Sequence, residues 1–217
     1  MNYFIENMNQ NNGHNSLGLD ACFQDEANPI VLFKKWFAEA EKSEINDPNA
    51  LSVATSSLKG IPSVRMVLLK GLSDKGFVFY TNFNSKKGND LKNNPNASMC
   101  FHWKSIRRQV RISGKVSEVE KEEADKYFSS RDYGSKIAAW ASDQSKAMNS
   151  RNDFLNKIKE FETKFTDKKN VPRPSYWSGW RVNPEQIEFW LETKNRTHQR
   201  LNYFLKEKNW VKEILYP

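Results

Sequence analysis

The chain has 217 residues, enough for one well-buried core and short for two full domains. Aromatic residues make up 13% of it and charged residues 28%, which indicates a globular protein with a solvated surface and excludes a disordered chain. The net charge of +8 is compatible with phosphorylated ligands or nucleic acid, but no block of five like charges forms a nucleic-acid tail.

Several classes of site and location are disfavoured at the outset. Cys22 and Cys100 are far apart, so we expect neither a disulfide framework nor a zinc site. With three histidines and no metal-binding motif, no metal is expected. The first residues lack a basic segment followed by an apolar one, and no apolar run approaches the length of a membrane span. We therefore expect a cytoplasmic protein without a membrane partner.

The chain begins with an Asn-rich segment that lacks apolar periodicity. We expect a mobile arm over residues 1–26 and a single domain over residues 27–217. Asn28 followed by Pro29 predicts the start of a helix, with Asn as N-cap and Pro at the first position. Its apolar positions form one stripe that should be buried: Leu32, Phe33, Trp36, Phe37 and Ala40.

The middle of the chain is typical of short strands, and helices follow. The run over 64–69 is almost continuously apolar, which predicts a strand buried on both faces. Ser150 and Asp153 form a helix-capping pattern. Strands are predicted over 51–56, 64–69, 77–81, 98–103, 109–116, 177–182, 186–191, 200–205 and 210–215, and helices over 121–129, 135–141 and after Ser150. This pattern favours a mainly β, α+β fold with an antiparallel barrel or sandwich.

Two pairs of cations lie at the ends of predicted elements. Arg65 and Lys70 lie at the two ends of the apolar run. They either bind an anion at the rim of the fold or are charged residues that flank a strand and disfavour its aggregation. Lys86 and Lys87 open a predicted helix, whose free N–H groups favour a phosphate. An ordinary capped surface helix remains the alternative there.

Tyr127, Arg131 and Ser135 are spaced by four residues. If one helix spans them, their polar tips share a face that suits a phosphate, although a solvated helix face has the same pattern.

Arg196, His198 and Arg200 fall within five residues near the C-terminus. In a strand these three side chains would point the same way and form a binding rim, whereas a solvated turn is the alternative.

The order and spacing of these groups are more specific than any one of them. The motifs are RMVLLK from Arg65, FVFYTN from Phe77, SKK from Ser85, RQV from Arg108, WASDQS from Trp140, PSYWSG from Pro174, QIEFW from Gln186 and RTHQR from Arg196. Over residues 29–217 this series resembles the pyridoxamine 5′-phosphate oxidase family. The resemblance implies an FMN-binding split β-barrel with flanking helices, working as a homodimer with FMN at the subunit interface.

The resemblance also implies roles for individual residues. Those implied for FMN are Arg65, Met66, Val67, Leu68, Leu69, Lys70, Tyr80, Thr81, Lys86, Lys87, Gln109, Gln144, Ser145, Trp190 and Arg200. Gln144, Ser145, Trp190 and Arg200 are implied to come from the partner's side of the pocket. Those implied for the substrate are Lys70, Tyr127, Arg131, Ser135, Arg196 and His198, of which Arg196 and His198 are implied to be catalytic.

The implied reaction is the oxidation of pyridoxamine or pyridoxine 5′-phosphate by oxygen to pyridoxal 5′-phosphate, in vitamin B6 synthesis. Hydride passes from C4′ to flavin N5, hydrogen peroxide is released, and the amine also yields ammonia. Thr197 and Gln199 depart from the family, which usually has Leu and an acidic residue there. A non-catalytic FMN- or B6-binding protein of the same barrel class and a flavin reductase therefore remain alternatives, while the scattered cations disfavour nucleic-acid binding.

Overall fold

A computed structural model describes residues 13–217, so the part of the expected arm before Gly13 lies outside the described residues. Contacts divide the chain into two compact units. The first unit contains residues 13–50, 100–112 and 185–217, and the second contains residues 51–99 and 113–184. Within residues 13–217, no helix is both long and apolar enough to cross a bilayer.

The described residues form a mainly β structure with helices, which confirms the expected fold class. The strands are β1 (Ala50–Ser56), β2 (Pro62–Leu68), β3 (Gly71–Ser73), β4 (Gly76–Asn82), β5 (Asn96–Trp103), β6 (Arg108–Glu118), β7 (Trp177–Leu191), β8 (Gln199–Lys206) and β9 (Asn209–Leu215). The helices are α1 (Pro29–Ser43), α2 (Lys86–Asn93), α3 (Lys121–Ser130), α4 (Tyr133–Ala141) and α5 (Arg151–Lys164). Strand order is β2-β1-β5-β6-β7-β4-β3, and β8 pairs with β7 and β9.

The first unit is built around the apolar stripe of α1. Asn28 caps this helix by accepting a hydrogen bond from the Ile30 N–H, as the sequence predicts. Phe33 packs against Phe101 at 5.1 Å and Trp36 packs edge-on against Phe189 at 5.1 Å. Burying such aromatic side chains contributes about 1.5–3 kcal/mol each, so this stripe fixes the helix on the strands.

The chain before α1 also packs within the first unit. A short 3-10 helix, Ala21–Phe23, is capped by Asp20 and buries Phe23 completely. The indole N–H of Trp36 donates to the Cys22 carbonyl at 2.7 Å. The segment expected as an arm is thus folded against α1 from about Leu19 onward, where apolar side chains become available to bury.

In the second unit, strand β4 lies between β3 and β7. It pairs antiparallel with β3 and with β7, in the register Phe77↔Val182 to Asn82↔Trp177. The chain leaves β4 through a turn, and Ser85 caps α2 by accepting a hydrogen bond from the Gly88 N–H. The residues after β4 and the first turn of α2 therefore lie close to the end of that strand.

Strand β2 differs from its prediction. Both faces were expected to be buried, but Val64, Met66 and Leu68 are 67%, 65% and 38% exposed. The strand alternates between exposed and half-buried residues, and it ends the order of the sheet. No described element covers its outer face, so the prediction of full burial is wrong for this chain by itself.

One helix does not span Tyr127, Arg131 and Ser135, and the two separate helices predicted over 121–129 and 135–141 are observed. Helix α3 ends at Ser130, and Arg131 has an extended backbone with φ −72° and ψ 152°. Asp132 then starts α4 by accepting a hydrogen bond from the Ser135 N–H at 2.8 Å. The strong cap one residue after Arg131 explains why the helix is interrupted at that point.

The C-terminal strands differ in two details. The segments 177–182 and 186–191 form one continuous strand, β7. Residues 196–200 are not one strand, because Asn195 and Arg196 have φ values of 55° and 60° and β8 begins only at Gln199. Arg196, His198 and Arg200 therefore do not share one strand face: Arg196 and His198 lie in a turn, which was the alternative, and the strand predicted over 200–205 is observed.

Candidate functional site

The second unit contains a cavity of about 810 Å³. It is lined by β2, the end of β4, the start of α2, the junction of α3 and α4, and the segment after α4. Fourteen residues implied for FMN or substrate line it: Arg65, Met66, Val67, Leu68, Lys70, Tyr80, Thr81, Lys86, Lys87, Tyr127, Arg131, Ser135, Gln144 and Ser145. Tyr127, Arg131 and Ser135 thus meet at the cavity, although they lie on both sides of a helix break and not on one helix face.

Six implied residues do not line this cavity. Leu69 is buried just after β2, and the other five belong to the first unit: Gln109, Trp190, Arg196, His198 and Arg200. Gln144 and Ser145 also differ from what the resemblance implies, because they line the cavity of the chain that carries them. The resemblance implies that they come from the partner's side.

A buried ammonium group lies at one part of the cavity. The Nζ atom of Lys87 donates to Thr81 Oγ1 at 2.8 Å and to Gln144 Oε1 at 3.0 Å. Its side chain is only 8% exposed, and it forms no ion pair with a described carboxylate. Burial, with a smaller contribution from the charge of Arg65, lowers the pKa of Lys87 to about 8. The site therefore holds a cation whose charge is not balanced by its protein neighbours.

Arg65 and Lys86 surround the same part of the cavity. The Nη1 atom of Arg65 donates to Thr55 Oγ1 at 2.8 Å, and burial lowers the pKa of this guanidinium. Lys86 lies 3.5 Å from Asp90, whose carboxylate also accepts from Thr55 at 2.8 Å. Lys86 pairs with Asp90 and Arg65 feels its charge, whereas Lys87 has no such partner, which leaves net positive charge for an anionic ligand.

A second cationic group lies at the junction of α3 and α4. The guanidinium of Arg131 stacks 4.7 Å over the ring of Trp177, and burial lowers its pKa. Its Nη1 atom is buried and has no hydrogen-bond partner among the described residues. An unpaired buried donor costs about 1–3 kcal/mol, so a ligand oxygen there would be strongly favoured. A phosphate fits this position as it fits the position beside Lys87.

An aromatic stack forms the wall beside Arg131. The ring of Tyr80 lies 4.0 Å from that of Tyr127 and 5.4 Å from that of Trp177. Gly179 makes this stack possible, because a Cβ atom there would approach Tyr80 Cε1 to 2.9 Å and Val119 Cγ2 to 2.9 Å. Burial raises the pKa of Tyr80 to about 12, so its hydroxyl stays a neutral donor.

Sequence reasoning assigned no role to Trp177 at this site. Its position after the Pro-containing loop and the aromatic Tyr176 was the available signal, but only the fold places it under Arg131. Asn82, also missed, donates to the Ser142 carbonyl at 3.2 Å and joins the end of β4 to the segment after α4.

The implied residues of the first unit form their own group. The Nδ1 atom of His198 accepts from the Thr193 N–H at 3.3 Å, so the neutral imidazole carries its proton on Nε2. The His198 ring lies 4.7 Å from that of Trp190. Arg200 pairs with Trp190 across β7 and β8.

The two residues that depart from the family motif are both used in hydrogen bonds. The carboxamide oxygen of Gln199 accepts from the Asp20 N–H at 2.7 Å, and Thr197 Oγ1 lies 3.0 Å from Thr193 Oγ1. Gln199 therefore holds the segment before α1, and Thr197 closes the turn that carries Arg196.

Comparisons with known proteins show the family of this chain. A family model described as pyridoxamine 5′-phosphate oxidase matches residues 37–165, and one described as the pyridoxine 5′-phosphate oxidase C-terminal dimerisation region matches residues 177–217. A pyridoxine/pyridoxamine 5′-phosphate oxidase of Pelagibacter ubique is 57% identical, covering 95% of this chain and all of that protein. The enzyme of that name from Agrobacterium fabrum is 48% identical over 90% of this chain and 95% of its own.

Solved structures share the fold. PhzG from Burkholderia lata, crystallised with tetrahydrophenazine-1-carboxylic acid, has a TM-score of 0.85 at 29% identity and covers 91% of this chain and 96% of its own. A pyridoxamine 5′-phosphate oxidase-related, FMN-binding protein from Nostoc punctiforme has a TM-score of 0.68 at 16% identity. The match covers 85% of this chain and 96% of that protein. These matches confirm the split-barrel fold and the family that the motifs resemble. The chain is an oxidoreductase that belongs to the pyridoxine/pyridoxamine 5′-phosphate oxidase family.

Proposed function

We propose that this chain uses FMN and oxygen to oxidise pyridoxamine 5′-phosphate or pyridoxine 5′-phosphate to pyridoxal 5′-phosphate. The observation that carries the proposal is the presence of two separate buried cationic groups, at Lys87 and Arg131, in one cavity. Cofactor and substrate each bear a phosphate, so a site for both requires two such groups. The names of the relatives support the substrate.

The first group suits the FMN phosphate. Lys86 and Lys87 occupy the first turn of α2, where backbone N–H groups and the helix dipole also favour an anion. Arg65 adds a guanidinium held in place by Thr55 and Ser63. In the proposal the flavin ring lies along the backbone of Met66 to Leu69, close to the end of β4.

The second group suits the phosphate of the substrate. Arg131 offers its unpaired Nη1 donor, Tyr127 and Ser135 offer hydroxyl groups, and Lys70 adds a second cation at the end of β2. The stack of Tyr127, Tyr80 and Trp177 limits how Arg131 can move. A phosphate anchored in this way fixes the position of the rest of a small substrate.

When bound, FMN supplies at its N5 atom the acceptor for hydride from the substrate C4′, and oxygen then takes the electrons with release of hydrogen peroxide. The protein binds and orients the two ligands. His198 presents an Nε2–H donor to the pyridine part of the substrate, because its Nδ1 atom already accepts from Thr193. Arg196, at the tip of the same turn, covers the substrate and excludes water in this proposal. With the amine substrate, hydrolysis of the oxidised product releases ammonia.

The residues of the first unit reach the ligands across a homodimer interface in this proposal. None of them lines the cavity of the second unit, and β2 exposes apolar side chains that a partner would cover. The match of residues 177–217 to a dimerisation region supports the same arrangement.

A direct test is to purify the protein, record its flavin spectrum and measure peroxide and pyridoxal 5′-phosphate formed from pyridoxamine 5′-phosphate. We expect a yellow protein with one FMN per subunit and matched yields of the two products. FMN uptake without turnover would instead identify a non-catalytic binding protein, and oxidation of a nicotinamide without need for the B6 phosphate would identify a flavin reductase. Absence of FMN uptake would refute the proposal.

A further inference from the structure

A buried carboxylate in the first unit joins two arginines from neighbouring strands. Glu188 lies on β7 and is only 3% exposed. Its Oε1 atom accepts from Arg200 Nε at 2.9 Å and its Oε2 atom from Arg200 Nη2 at 3.0 Å. Arg111, on β6, also donates to Oε2. Arg200 is thus held by a bidentate pair, the geometry that fixes a guanidinium most firmly.

A third contact completes the restraint on Arg200. Its Nη1 atom donates to the Tyr216 carbonyl at 2.8 Å. Among residues 13–217, three of the five N–H groups of this side chain are therefore engaged, and two remain. These two groups have a fixed direction, because Glu188 and Tyr216 together determine the plane of the guanidinium.

The charges of this cluster do not cancel. Burial raises the pKa of Glu188, but the hydrogen bonds from Arg200 and Arg111 outweigh it and lower the pKa overall, so the carboxylate remains ionised. One carboxylate faces two guanidinium groups, which leaves a net positive charge. Such a cluster can hold one arginine rigidly and still present a cation to a ligand.

We propose that Glu188 is a positioning residue, which orients Arg200 so that its two remaining N–H groups bind the flavin. This inference rests on the proposed function, in which Arg200 contacts FMN. Glu188 itself touches no ligand in this account. Its effect is to restrict Arg200 before FMN binds, so that less rotational freedom of this side chain is lost on binding.

A purely structural role for Glu188, joining β6, β7 and β8, makes a different prediction. If Glu188 acts through Arg200, replacing it should matter little once Arg200 has been removed. If it only stabilises the strands, its replacement should cost the same whether Arg200 is present or absent. A double-mutant cycle on FMN affinity separates these cases.

The experiment titrates FMN into the apo form of the full chain and follows quenching of flavin fluorescence, with thermal unfolding of each apo-protein recorded in parallel. The variants are Glu188→Gln, Arg200→Ala and the double substitution. Glu213→Gln is the matched control, because this carboxylate of the same hairpin accepts from Asn202 at 2.9 Å and not from Arg200. We expect Glu188→Gln to weaken FMN binding about tenfold, the control to bind like wild type, and the double variant to bind like Arg200→Ala.

Two results would overturn the inference while leaving the proposed function intact: wild-type FMN affinity in Glu188→Gln, or additive losses in the double variant. If Glu188→Gln does not fold, Arg200→Lys provides the same test, since lysine keeps the charge but cannot form the bidentate pair. Wild-type affinity in that variant would equally overturn it. Failure of the wild-type protein to bind FMN would instead refute the proposed function.

Discussion

The buried ammonium group of Lys87 has a direct consequence for the pH dependence of ligand binding. Its hydrogen-bond acceptors are the neutral oxygens of Thr81, Ser85 and Gln144. Burial lowers its pKa from 10.5 to about 8 in the ligand-free protein. The group is therefore charged below pH 8 and loses its proton as the pH rises through this value. A phosphate beside it favours the charged form and raises the pKa in the complex.

The first prediction is that FMN affinity falls about tenfold between pH 7 and pH 9, because binding must restore the proton on Lys87 above pH 8. Fluorescence titration of the apo-protein measures this slope. Lys87→Arg is the control, since a guanidinium stays charged over the whole range and should bind with little dependence on pH. An equally steep slope in Lys87→Arg would show that another group titrates.

The second prediction concerns Arg131, whose Nη1 atom lacks a partner among the described residues. Arg131→Gln should raise KM for pyridoxamine 5′-phosphate by about tenfold to a hundredfold, because a charge-assisted hydrogen bond is lost. FMN affinity should stay unchanged. Lys126→Gln, which removes an exposed cation of the preceding helix α3, is the control in steady-state kinetics. If Arg131→Gln weakened FMN binding and left KM for the substrate unchanged, Arg131 would bind the cofactor and not the substrate.

At the scale of elements, structural features that depend on a few neighbouring residues are predicted well from the sequence. The Asn28-Pro29 start of α1, its apolar stripe and the capping box of Ser150 and Asp153 are all observed. These features depend on local hydrogen bonds and on the helical repeat, which a sequence displays directly. Burial of β2 was not predictable in this way, because it depends on what covers the strand from outside.

The candidate site shows the same division. Lys86 and Lys87 could be placed at a helix start from their own neighbours. Trp177 and Gln144 are brought to the cavity from other parts of the chain, so no local pattern predicts their contacts with Arg131 and Lys87. The turn that carries Arg196 depends on left-handed backbone at Asn195, where asparagine is a weak signal for it, and at Arg196, where the residue type gives no signal.

The third prediction tests the helix break that places Arg131. Asp132→Ala should remove the cap of α4, lower the free energy of unfolding by about 1 kcal/mol and raise KM for the substrate, because Arg131 and Ser135 lie on either side of the cap. Ser150→Ala removes the cap of α5 and is the matched control. Denaturant unfolding should show similar losses of stability in the two variants. Steady-state kinetics should show a raised KM only for Asp132→Ala. Equal KM values in the two variants would contradict a positioning role for the break.

At the scale of the whole molecule, the exposed apolar residues of and around β2 indicate a missing partner. Leu58 and Ile61 are 76% and 59% exposed, and they precede the exposed Val64 and Met66. Val64 and Met66 also line the cavity, so a protein that covered this surface would stand next to the bound ligands. A second copy of the chain is the partner that the match to a dimerisation region favours.

The last prediction uses the two-fold symmetry of a homodimer to test whether residues of the first unit act in the site of their own subunit or of its partner. With substrate well below the wild-type KM, Arg131→Ala and Arg200→Ala should each lose most of the turnover when alone. If every site takes Arg131 from one subunit and Arg200 from the other, a hybrid dimer has one site with both residues intact and one with both replaced. Random exchange of equal amounts of the two variants should then restore about a quarter of wild-type turnover, since half of the dimers are hybrids. If both residues served the site of their own chain, every site in every mixture would lack one of them, and no activity would return.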